Sequence, residues 1–530
     1  MGTVSVFEHQ TSGFSITIRW LTFIICCLFI VLGAFYFWFY TVEDAYISFR
    51  YAKNILSGNG VVYNPGEYVE GYTNFLWVML LAVLGWVIDI PVASKIAGLV
   101  FAIGSLACLC FIHSRNEYYA YAGPVAAIVL ATSPGFQMWS VSGLETSMFI
   151  FFLVAAVMTD QADIRKKELF SGLLFGLATL TRPEGVLFLV LYLLPHLKGF
   201  IHKKSKFWQM MGGFSLIVIP HMIFRLLYYN AWIPNTFWVK GKRFSGGGFA
   251  YFKKYGALTG LIDIPVVSVG LVLLVCFLLG SQNLKSWMGK YDRNIHHFLA
   301  AYLPVFSICL VYSLYVYIIG GDWMPFGRFL IPLLPFLGLG ASMVIVFLQP
   351  HFKYHLLIAF MVLNSSVSIA SMWYNPLMLR KSDYVDKLTW EQPHFKDWKT
   401  VGEWIARNWD DNAVMSTGLG GIIPYYAGLK NIDRGGLNSK MIAQIIHTSV
   451  STEEEQRKID EIVLQNAPDY IFDERLSFCM LRDEPTVNYP PANPNSNNLW
   501  TMGLNPAFNR YYRLKWVKIG DKYFSFYERR

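Results

Sequence analysis

The chain has 530 residues, of which 54% are hydrophobic, 17% aromatic and only 15% charged. Soluble proteins carry about 25% charged residues, so much of this surface must face something other than water. The formal net charge of +9 does not indicate nucleic-acid binding, because Lys and Arg lie mostly in short loops between apolar runs, as membrane orientation requires. The composition predicts a polytopic α-helical membrane protein and excludes an ordinary soluble domain.

The first apolar run extends from Arg19 to Tyr40, which is long enough to cross a hydrocarbon core about 30 Å thick. A polar stretch precedes this run, and no small-residue cleavage site follows it. The run is therefore predicted to be a retained first span and not a cleaved signal peptide.

Twelve apolar runs are candidates for spans. If all of them crossed with the N-terminus inside, the basic loops at 165–167 and 198–206 would lie outside, against the positive-inside tendency. If the short run 75–88 instead lies along the outer face, these loops move to the cytoplasm. About eleven spans then remain, and both the first loop and the polar tail lie outside. The twelve runs are 19–40, 75–88, 93–113, 119–133, 145–159, 169–181, 184–198, 207–229, 262–280, 297–319, 329–348 and 354–373.

This topology gathers the polar clusters on the outer face of a cell (inner) membrane, and no comparable gathering faces inward. We therefore expect any chemistry on the extracytoplasmic side. The clusters are 43–74, 140–147, 181–185, 230–254 and 320–328.

Two acids, Glu43 and Asp44, follow the first span at once, at a depth where a carboxylate is costly without a role or a partner. A helix is predicted from Ala45 to Ser57, and an acid at its N-terminus is stabilised as the anion. Asp44 is then either a helix N-cap at the membrane surface or a general base that takes a proton from an acceptor hydroxyl.

Two further pairs of polar residues have two interpretations each. Glu70 and Asn74 would share a helix face if the run at 75–88 began early; as helix caps they would not bind substrate. Arg182 and Glu184 flank Pro183, which breaks the helix there. They are predicted to form an interfacial salt bridge or to hydrogen-bond a sugar.

Three cations and one acid complete the outer set. Asp322 follows two glycines in a loop that would be tolerated at that depth where it lines a wet cavity. Arg328 suits a phosphate, because its guanidinium can bind two oxygens, or it extends from a span end to the interface. Lys240 and Arg243 belong to a basic segment on the outer side, which a lipid phosphate or headgroup anchoring would explain.

No metal-ligand spacing is found among the cysteines.

The motifs resemble those of integral-membrane (GT-C type) glycosyltransferases, in particular the mycobacterial terminal arabinofuranosyltransferases and their relatives in other bacteria. Any one motif is weak, but their order and common outer placement extend over most of the chain. They are the run Asp44–Trp77, Ser142-Gly143-Leu144-Glu145-Thr146, Thr181-Arg182-Pro183-Glu184-Gly185, Ile233-Pro234-Asn235-Thr236-Phe237 with Lys240, Gly320-Gly321-Asp322-Trp323-Met324-Pro325 with Gly327-Arg328-Phe329, and Pro424-Tyr425-Tyr426 to Gly428.

The resemblance implies surface-lying helices in the first outer loop and an inverting transfer of arabinofuranose from a polyprenyl-phosphate donor. The acceptor would be a glycan, glycolipid or protein. Mannosyl or other hexosyl transfer, or a transporter or flippase of lipid-linked sugars, is the alternative. Asp44 would be the catalytic base. These relatives show two adjacent aspartates where this chain has Glu43 and Asp44, so a shared acceptor-binding or metal-binding role for Glu43, and a need for a divalent cation, stay open.

Ten residues of the outer clusters are predicted to bind substrate. They are Arg182, Glu184, Glu145, Glu70, Asn74, Asn235, Lys240, Arg243, Asp322 and Arg328.

The polar tail, residues 376–530, is predicted to form a soluble extracytoplasmic α/β domain, distinct from the transmembrane domain at 1–375. Its helical signal lies at 398–409. Strand-like runs lie at 413–417, 470–473 and 514–527, and the last has a hairpin turn at Ile519-Gly520-Asp521-Lys522.

Overall fold

The structure is a computed structural model of the chain. It describes residues 16–111, 117–194, 206–243, 247–255, 295–322, 324–348, 353–370, 374–375, 380–381, 384–472, 481–483, 502 and 505–530.

Helices dominate the chain up to residue 370. They are α1 (Ile16–Phe37), α2 (Ala45–Leu56), α3 (Phe75–Leu84), α4 (Ile90–Phe111), α5 (Glu117–Ala131), α6 (Pro134–Val141), α7 (Thr146–Gln161), α8 (Lys167–Thr181), α9 (Gly185–Leu193), α10 (Lys206–Tyr229), α11 (Asn235–Arg243), α12 (Gly248–Tyr255), α13 (Ile295–Ile319), α14 (Leu334–Leu348) and α15 (Lys353–Ala370), with two 3-10 turns at Pro325–Gly327 and Ile331–Leu333.

Several of the described helices can cross a bilayer. Five helical stretches are long and apolar enough, and α6 with α7, bent by 114°, passes the same test as a pair. The chain is therefore a polytopic α-helical membrane protein, as predicted. The count of eleven spans stays a prediction, and the candidate at 262–280 lies outside the described residues. The five stretches are Ile16–Phe37, Ile90–Phe111, Lys206–Tyr229, Ala301–Ile319 and Pro325–Val346.

The loop after the first span contains two short helices, α2 and α3, of 12 and 10 residues. At 1.5 Å per residue these are about 18 and 15 Å long, too short to cross a core of about 30 Å. Their lengths agree with the interpretation that the run 75–88 does not span the membrane.

The polar tail forms a unit of helices around a sheet, which we call the C-terminal unit (residues 384–530). Five helices belong to it: α16 (Tyr384–Asn408), α17 (Ile422–Ala427), α18 (Lys440–Thr448), α19 (Thr452–Gln465) and α20 (Pro506–Tyr511). Eight short strands follow residue 370: β1 (Tyr374–Asn375), β2 (Arg380–Lys381), β3 (Val414–Thr417), β4 (Lys430–Asp433), β5 (Tyr470–Ile471), β6 (Leu481–Arg482), β7 (Tyr512–Ile519) and β8 (Lys522–Arg529).

The sheet is mixed. Strands run in the order β4-β3-β5-β8-β6, and β7 also pairs with β8. The pairs of β3 with β4 and β5 are parallel, and the pairs of β8 are antiparallel. The predicted hairpin is confirmed, since Ile519 pairs with Lys522 across a two-residue turn. Trp409 stacks on Tyr470 in this core, with ring centroids 3.6 Å apart.

Buried hydrogen bonds attach the C-terminal unit to the first loop. Arg50 of α2 donates to the carbonyl oxygens of Pro424 (2.5 Å) and Leu429 (2.6 Å), in and just beyond α17. Its remaining N–H groups donate to the carbonyl of Tyr63 and to Asn64. All of these partners accept from one side chain that is only 4% exposed. The first loop and the C-terminal unit are therefore packed as one layer.

We expect a cysteine at Arg165, exposed between α7 and α8, to resist a membrane-impermeant thiol reagent added to intact cells, because the positive-inside tendency places this loop in the cytoplasm. The experiment uses a Cys479→Ser background. Asn59→Cys, exposed just after α2, is the matched control and should be labelled. Labelling of Arg165→Cys from outside would overturn the predicted topology.

Candidate active site

The end of the first span is fixed by a buried lysine. The ammonium group of Lys95 on α4 donates to the carbonyls of Trp38 (2.7 Å) and Tyr40 (2.6 Å), just after α1, and to Val141 (3.0 Å) at the end of α6. Carbonyl groups at and just beyond the C-terminal ends of helices are left open by the helical hydrogen-bond pattern, and the lysine satisfies three of them here. The contact sets where the chain leaves α1 on its way to Asp44.

The Ser142–Thr146 motif forms the bend between α6 and α7. Gly143 has φ +94°, and a Cβ there would lie 3.0 Å from the Cβ of Ala45. Glycine is needed for both reasons. The backbone N–H of Val42 donates to the carbonyl of Ser142 (3.0 Å). The bend therefore packs against the segment that contains Asp44, and Glu145 lies at the start of α7.

Asp44 occupies the N-cap position of α2, but its side chain makes no capping hydrogen bond. The carboxylate is partly exposed, and no hydrogen bond or ion pair to it is found within the described part of the chain. The N-cap position of this aspartate is confirmed, but its side chain does not cap the helix by a hydrogen bond. An acid at this position that does not cap its helix is available to a ligand.

Arg182 is the centre of a buried ion-pair network at the break between α8 and α9. Its guanidinium lies 3.2 Å from Glu145 and 3.0 Å from Glu184, and Asn74 donates to Glu145 (2.8 Å). Burial by itself would lower the pKa of Arg182, but the two carboxylates outweigh it and raise that pKa above its usual value. The salt-bridge interpretation of Arg182 and Glu184 is confirmed.

A second ion pair joins Asp322 and Arg328, whose atoms are 3.0 Å apart. The hydroxyl of Tyr251 on α12 donates to Asp322 (3.2 Å) and accepts from the backbone N–H of Phe329 (3.3 Å). Burial raises the pKa of Asp322, and the neighbouring Arg328 opposes that rise. In the irregular loop at 320–328, Arg328 therefore neutralises the charge of Asp322.

Lys240 on α11 interacts electrostatically with Asp44 and with both groups of ion pairs. Burial lowers its pKa, and Asp44 is the largest influence that opposes this, while Arg328 and Arg182 reinforce it. No ion pair of Lys240 is found among the residues that the structure describes. We define the outer charge cluster as the charged residues brought together here: Asp44, Glu145, Arg182, Glu184, Lys240, Asp322 and Arg328.

Four predicted site residues are not counted in this cluster: three have other partners, and the side chain of Arg243 lies outside the described part of the structure. Glu43 accepts from the backbone of Gly421 and Ile422 in the C-terminal unit. Asn235 donates to the carbonyls of Gly436, Leu437 and Ser439. Of Arg243, the structure describes only its place at the end of α11.

Glu70 is the fourth, and the proposal that it shares a helix face with Asn74 is wrong. Helix α3 begins at Phe75, after both residues. Glu70 is 2% exposed and pairs with Arg225 of α10 through two bonds of 2.7 and 3.0 Å. Asn74 instead exchanges hydrogen bonds with Ser48 and donates one to Glu145. Only Asn74 of these two belongs with the cluster.

Aromatic residues that the sequence did not predict to be site residues lie beside the cluster. The guanidinium of Arg182 lies 5.0 Å from the ring centroid of Phe329, and that of Arg328 lies 5.6 Å from Trp139. The buried hydroxyl of Tyr312, on α13, has no hydrogen-bond partner in the described residues, yet interacts electrostatically with Glu184. Because Tyr312 lies inside an apolar run, no local signal could have found it.

The described residues contain no group of three or more His, Cys, Asp or Glu side chains placed to hold a metal ion. Glu145, Glu184 and Asp322 are each paired with an arginine. These carboxylates do not form a cation-binding set, so no reaction step is derived through a metal.

Two curated proteins are similar to this chain in sequence. The terminal β-(1→2)-arabinofuranosyltransferase of Mycobacterium tuberculosis is 28% identical over 261 residues, 44% of this chain and 40% of that protein. The enzyme of the same name from Corynebacterium glutamicum is 25% identical over 351 residues, 57% of this chain and 48% of that protein. The predicted resemblance is confirmed. The match extends over less than half the length of either relative.

The fold is shared with a solved structure. ArnT from Cupriavidus metallidurans, bound to undecaprenyl phosphate, superposes with a TM-score of 0.55 over 97% of this chain and 98% of its own, at 11% identity. The same protein in its apo state gives 0.53 at 12% identity. The architecture is therefore that of the GT-C group. Residues 386–527 match a family described as a domain of unknown function (DUF8728).

Loss of Arg182 should destabilise the protein strongly. In Arg182→Gln the buried carboxylates Glu145 and Glu184 lose their cation, which costs about 3–5 kcal/mol of unfolding free energy. Arg407→Gln is the control, since Arg407 is exposed and lies 3.7 Å from Glu403, a pairing worth about 0–1 kcal/mol. Unfolding of both variants is measured in the same detergent. Equal midpoint shifts would contradict the assigned role.

Proposed function

We propose that this protein is a membrane glycosyltransferase that transfers a sugar, arabinofuranose, from a polyprenyl-phosphate donor to a hydroxyl group of a cell-envelope glycan, glycolipid or protein. The reaction takes place on the extracytoplasmic face of the inner membrane. One observation carries the proposal: Asp44 and Lys240, a base and a cation, are the two members of the outer charge cluster without a contact partner in the described residues. The sequence relatives named arabinofuranosyltransferases support the sugar.

The donor phosphate is assigned to the cationic side of the cluster. Lys240 supplies a positive charge that no carboxylate among the described residues neutralises by contact, and Arg182 and Arg328 lie within its electrostatic range. Partial burial strengthens the attraction between such cations and a phosphate, because there is less water to screen it. ArnT, which shares the fold, was solved with undecaprenyl phosphate bound, and this supports a lipid-linked donor.

The reaction is a single inverting displacement. The hydroxyl oxygen of the acceptor attacks the anomeric carbon from the face opposite the phosphate while Asp44 removes the hydroxyl proton. The new C–O bond forms as the bond from the anomeric carbon to the phosphate oxygen breaks, and the polyprenyl phosphate leaves with the electron pair. Lys240 stabilises the negative charge that develops on that oxygen. Glu145 and Glu184 accept hydrogen bonds from the sugar hydroxyls. Asn74 accepts a hydrogen bond from a hydroxyl or donates one to it.

A transporter of lipid-linked sugars is the alternative class. Functional charges of transporters lie near the middle of the membrane. In the described helices that could cross a membrane, the buried charges Arg19, Lys95 and Asp160 lie near helix ends. The position of the outer charge cluster at helix ends and loops favours an enzyme, and hexosyl transfer is the second candidate within that class.

Asp44→Asn should abolish transfer by the purified protein when a panel of polyprenyl-phosphate sugars is offered with candidate acceptors. The amide keeps the size of the side chain but cannot take the proton, and general-base catalysis contributes about 10²–10⁴-fold. Asp89→Asn, an exposed acid just before α4, is the control and should retain activity. Undiminished transfer by Asp44→Asn would refute the assignment of the base, and the preferred donor of the panel identifies the sugar.

The pH dependence of donor use should report on Lys240. Because burial lowers its pKa, the cation is lost at a lower pH than for an ordinary lysine, and kcat/KM for the donor should fall as the pH rises. In Lys240→Arg the side chain stays charged, so this alkaline decline should vanish even if the maximal rate is lower. The same decline in both proteins would show that another group titrates.

A further inference from the structure

The carboxylate of Glu43, next to the proposed base, is held by the C-terminal unit. Its Oε1 accepts hydrogen bonds from the backbone N–H groups of Gly421 (2.5 Å) and Ile422 (3.2 Å). The side chain is 6% exposed. Hydrogen bonds from backbone amides to a carboxylate are among the strong ones, so this contact ties residue 43 to a segment nearly 380 positions away in the chain.

The same segment leaves no room for a side chain where it meets Glu43. A Cβ on Gly421 would overlap both the carbonyl oxygen and the carboxylate oxygen of Glu43. The glycine is thus needed for a close approach of two backbones and not only for a turn. The approach is to the main chain at residue 43, which is covalently bonded to Asp44.

Further contacts fix the helix on the other side of Asp44 to the same segment. The ring of Tyr46 packs on Tyr425 and Tyr426, with centroids 5.5 and 5.8 Å apart. One turn further along α2, Arg50 donates to the carbonyls of Pro424 and Leu429. Residues 421–429 therefore contact the chain immediately before and immediately after Asp44, while Asp44 itself is left without a partner among the described residues.

We propose that residues 421–429 of the C-terminal unit hold the catalytic base in position, and that Glu43 is the positioning residue through which they do so. The inference rests on the proposed function, in which Asp44 is the base. It assigns a role to the part of the chain that matches a domain of unknown function. It also explains why glutamate stands here: an aspartate is one methylene shorter and would not reach both N–H groups.

Two substitutions separate the effect of side-chain length at residue 43 from the effect of its charge. Glu43→Gln keeps the length and an oxygen that accepts both bonds, so kcat should stay within about fivefold of the native value, the loss expected when a charged hydrogen bond becomes neutral. Glu43→Asp keeps the charge but not the reach. Its kcat should fall by about tenfold to a hundredfold, as displaced catalytic groups do. The KM for the donor should be unchanged in both, because the cations of the outer charge cluster are untouched.

A second pair of variants tests the contact from the other side. Gly421→Ala should lower kcat as Glu43→Asp does, because the new methyl group displaces residue 43. Gly420→Ala is the matched control, since a Cβ there has its nearest neighbour at 3.4 Å, ordinary contact, and its kcat should match the native protein. If Gly421→Ala does not fold, the Glu43 pair still decides the question.

Three results would overturn the inference or its basis, and they are distinguishable. Full kcat in Gly421→Ala or in Glu43→Asp would remove the positioning role. An inactive Glu43→Gln beside an active Glu43→Asp would show that Glu43 acts by its charge, as a catalytic residue. Transfer that persists in Asp44→Asn, measured in the same assay, would refute the proposed base itself, whatever the Glu43 variants do.

Discussion

The outer end of the molecule is organised by the need to neutralise one buried guanidinium. Arg182 lies at the break between α8 and α9, where an unpaired charge would be costly. Its partners come from two different places: Glu184 from the same break, and Glu145 from the start of α7. Because Glu145 also accepts from Asn74, the first loop is drawn into the same network. The bend of 114° between α6 and α7 is what brings the glutamate within reach.

This pairing has a chemical consequence. The carboxylates that could compete for a phosphate-binding cation are already bound, Glu145 and Glu184 by Arg182 and Asp322 by Arg328. A buried pair that is internally satisfied is rigid and presents a defined electrostatic field to a substrate. In the proposed reaction, Lys240 meets the donor phosphate and Asp44 meets the acceptor hydroxyl. These two groups have no contact partner among the described residues, and they are where the charge would change during that reaction.

The segment around the proposed base is held from two sides, by α4 and by the C-terminal unit. Lys95 fixes the end of α1 from within the helical bundle through three backbone carbonyls. The C-terminal unit holds Glu43 and Arg50 from the other side. In both sets of contacts the partners are backbone groups, so the fold sets the geometry of these hydrogen bonds. A transfer reaction gains from such rigidity, because the base must meet the acceptor hydroxyl at hydrogen-bond distance.

The amino-acid sequence by itself determined the class of protein, the likeness to arabinofuranosyltransferases and the core of the candidate site. These conclusions depend on local features, which are visible in a sequence. They are the long apolar runs, a turn at Arg182-Pro183-Glu184 and the acid after the first span. Asn74, Arg182, Lys240, Asp322 and Arg328 were all predicted in this way, and so were β3, β5 and the hairpin of β7 and β8 in the tail.

Only the tertiary structure decided which way each polar side chain points. Glu43, Glu70 and Asn235 have the composition of site residues, but their partners are Gly421, Arg225 and the carbonyls at 436–439. Those partners lie between 155 and 378 positions away, and no periodicity or spacing encodes a pairing over such distances. Hydrogen-bond direction depends on packing between elements that are distant in the chain. The role of a polar residue beside a membrane is therefore settled by its neighbours in space.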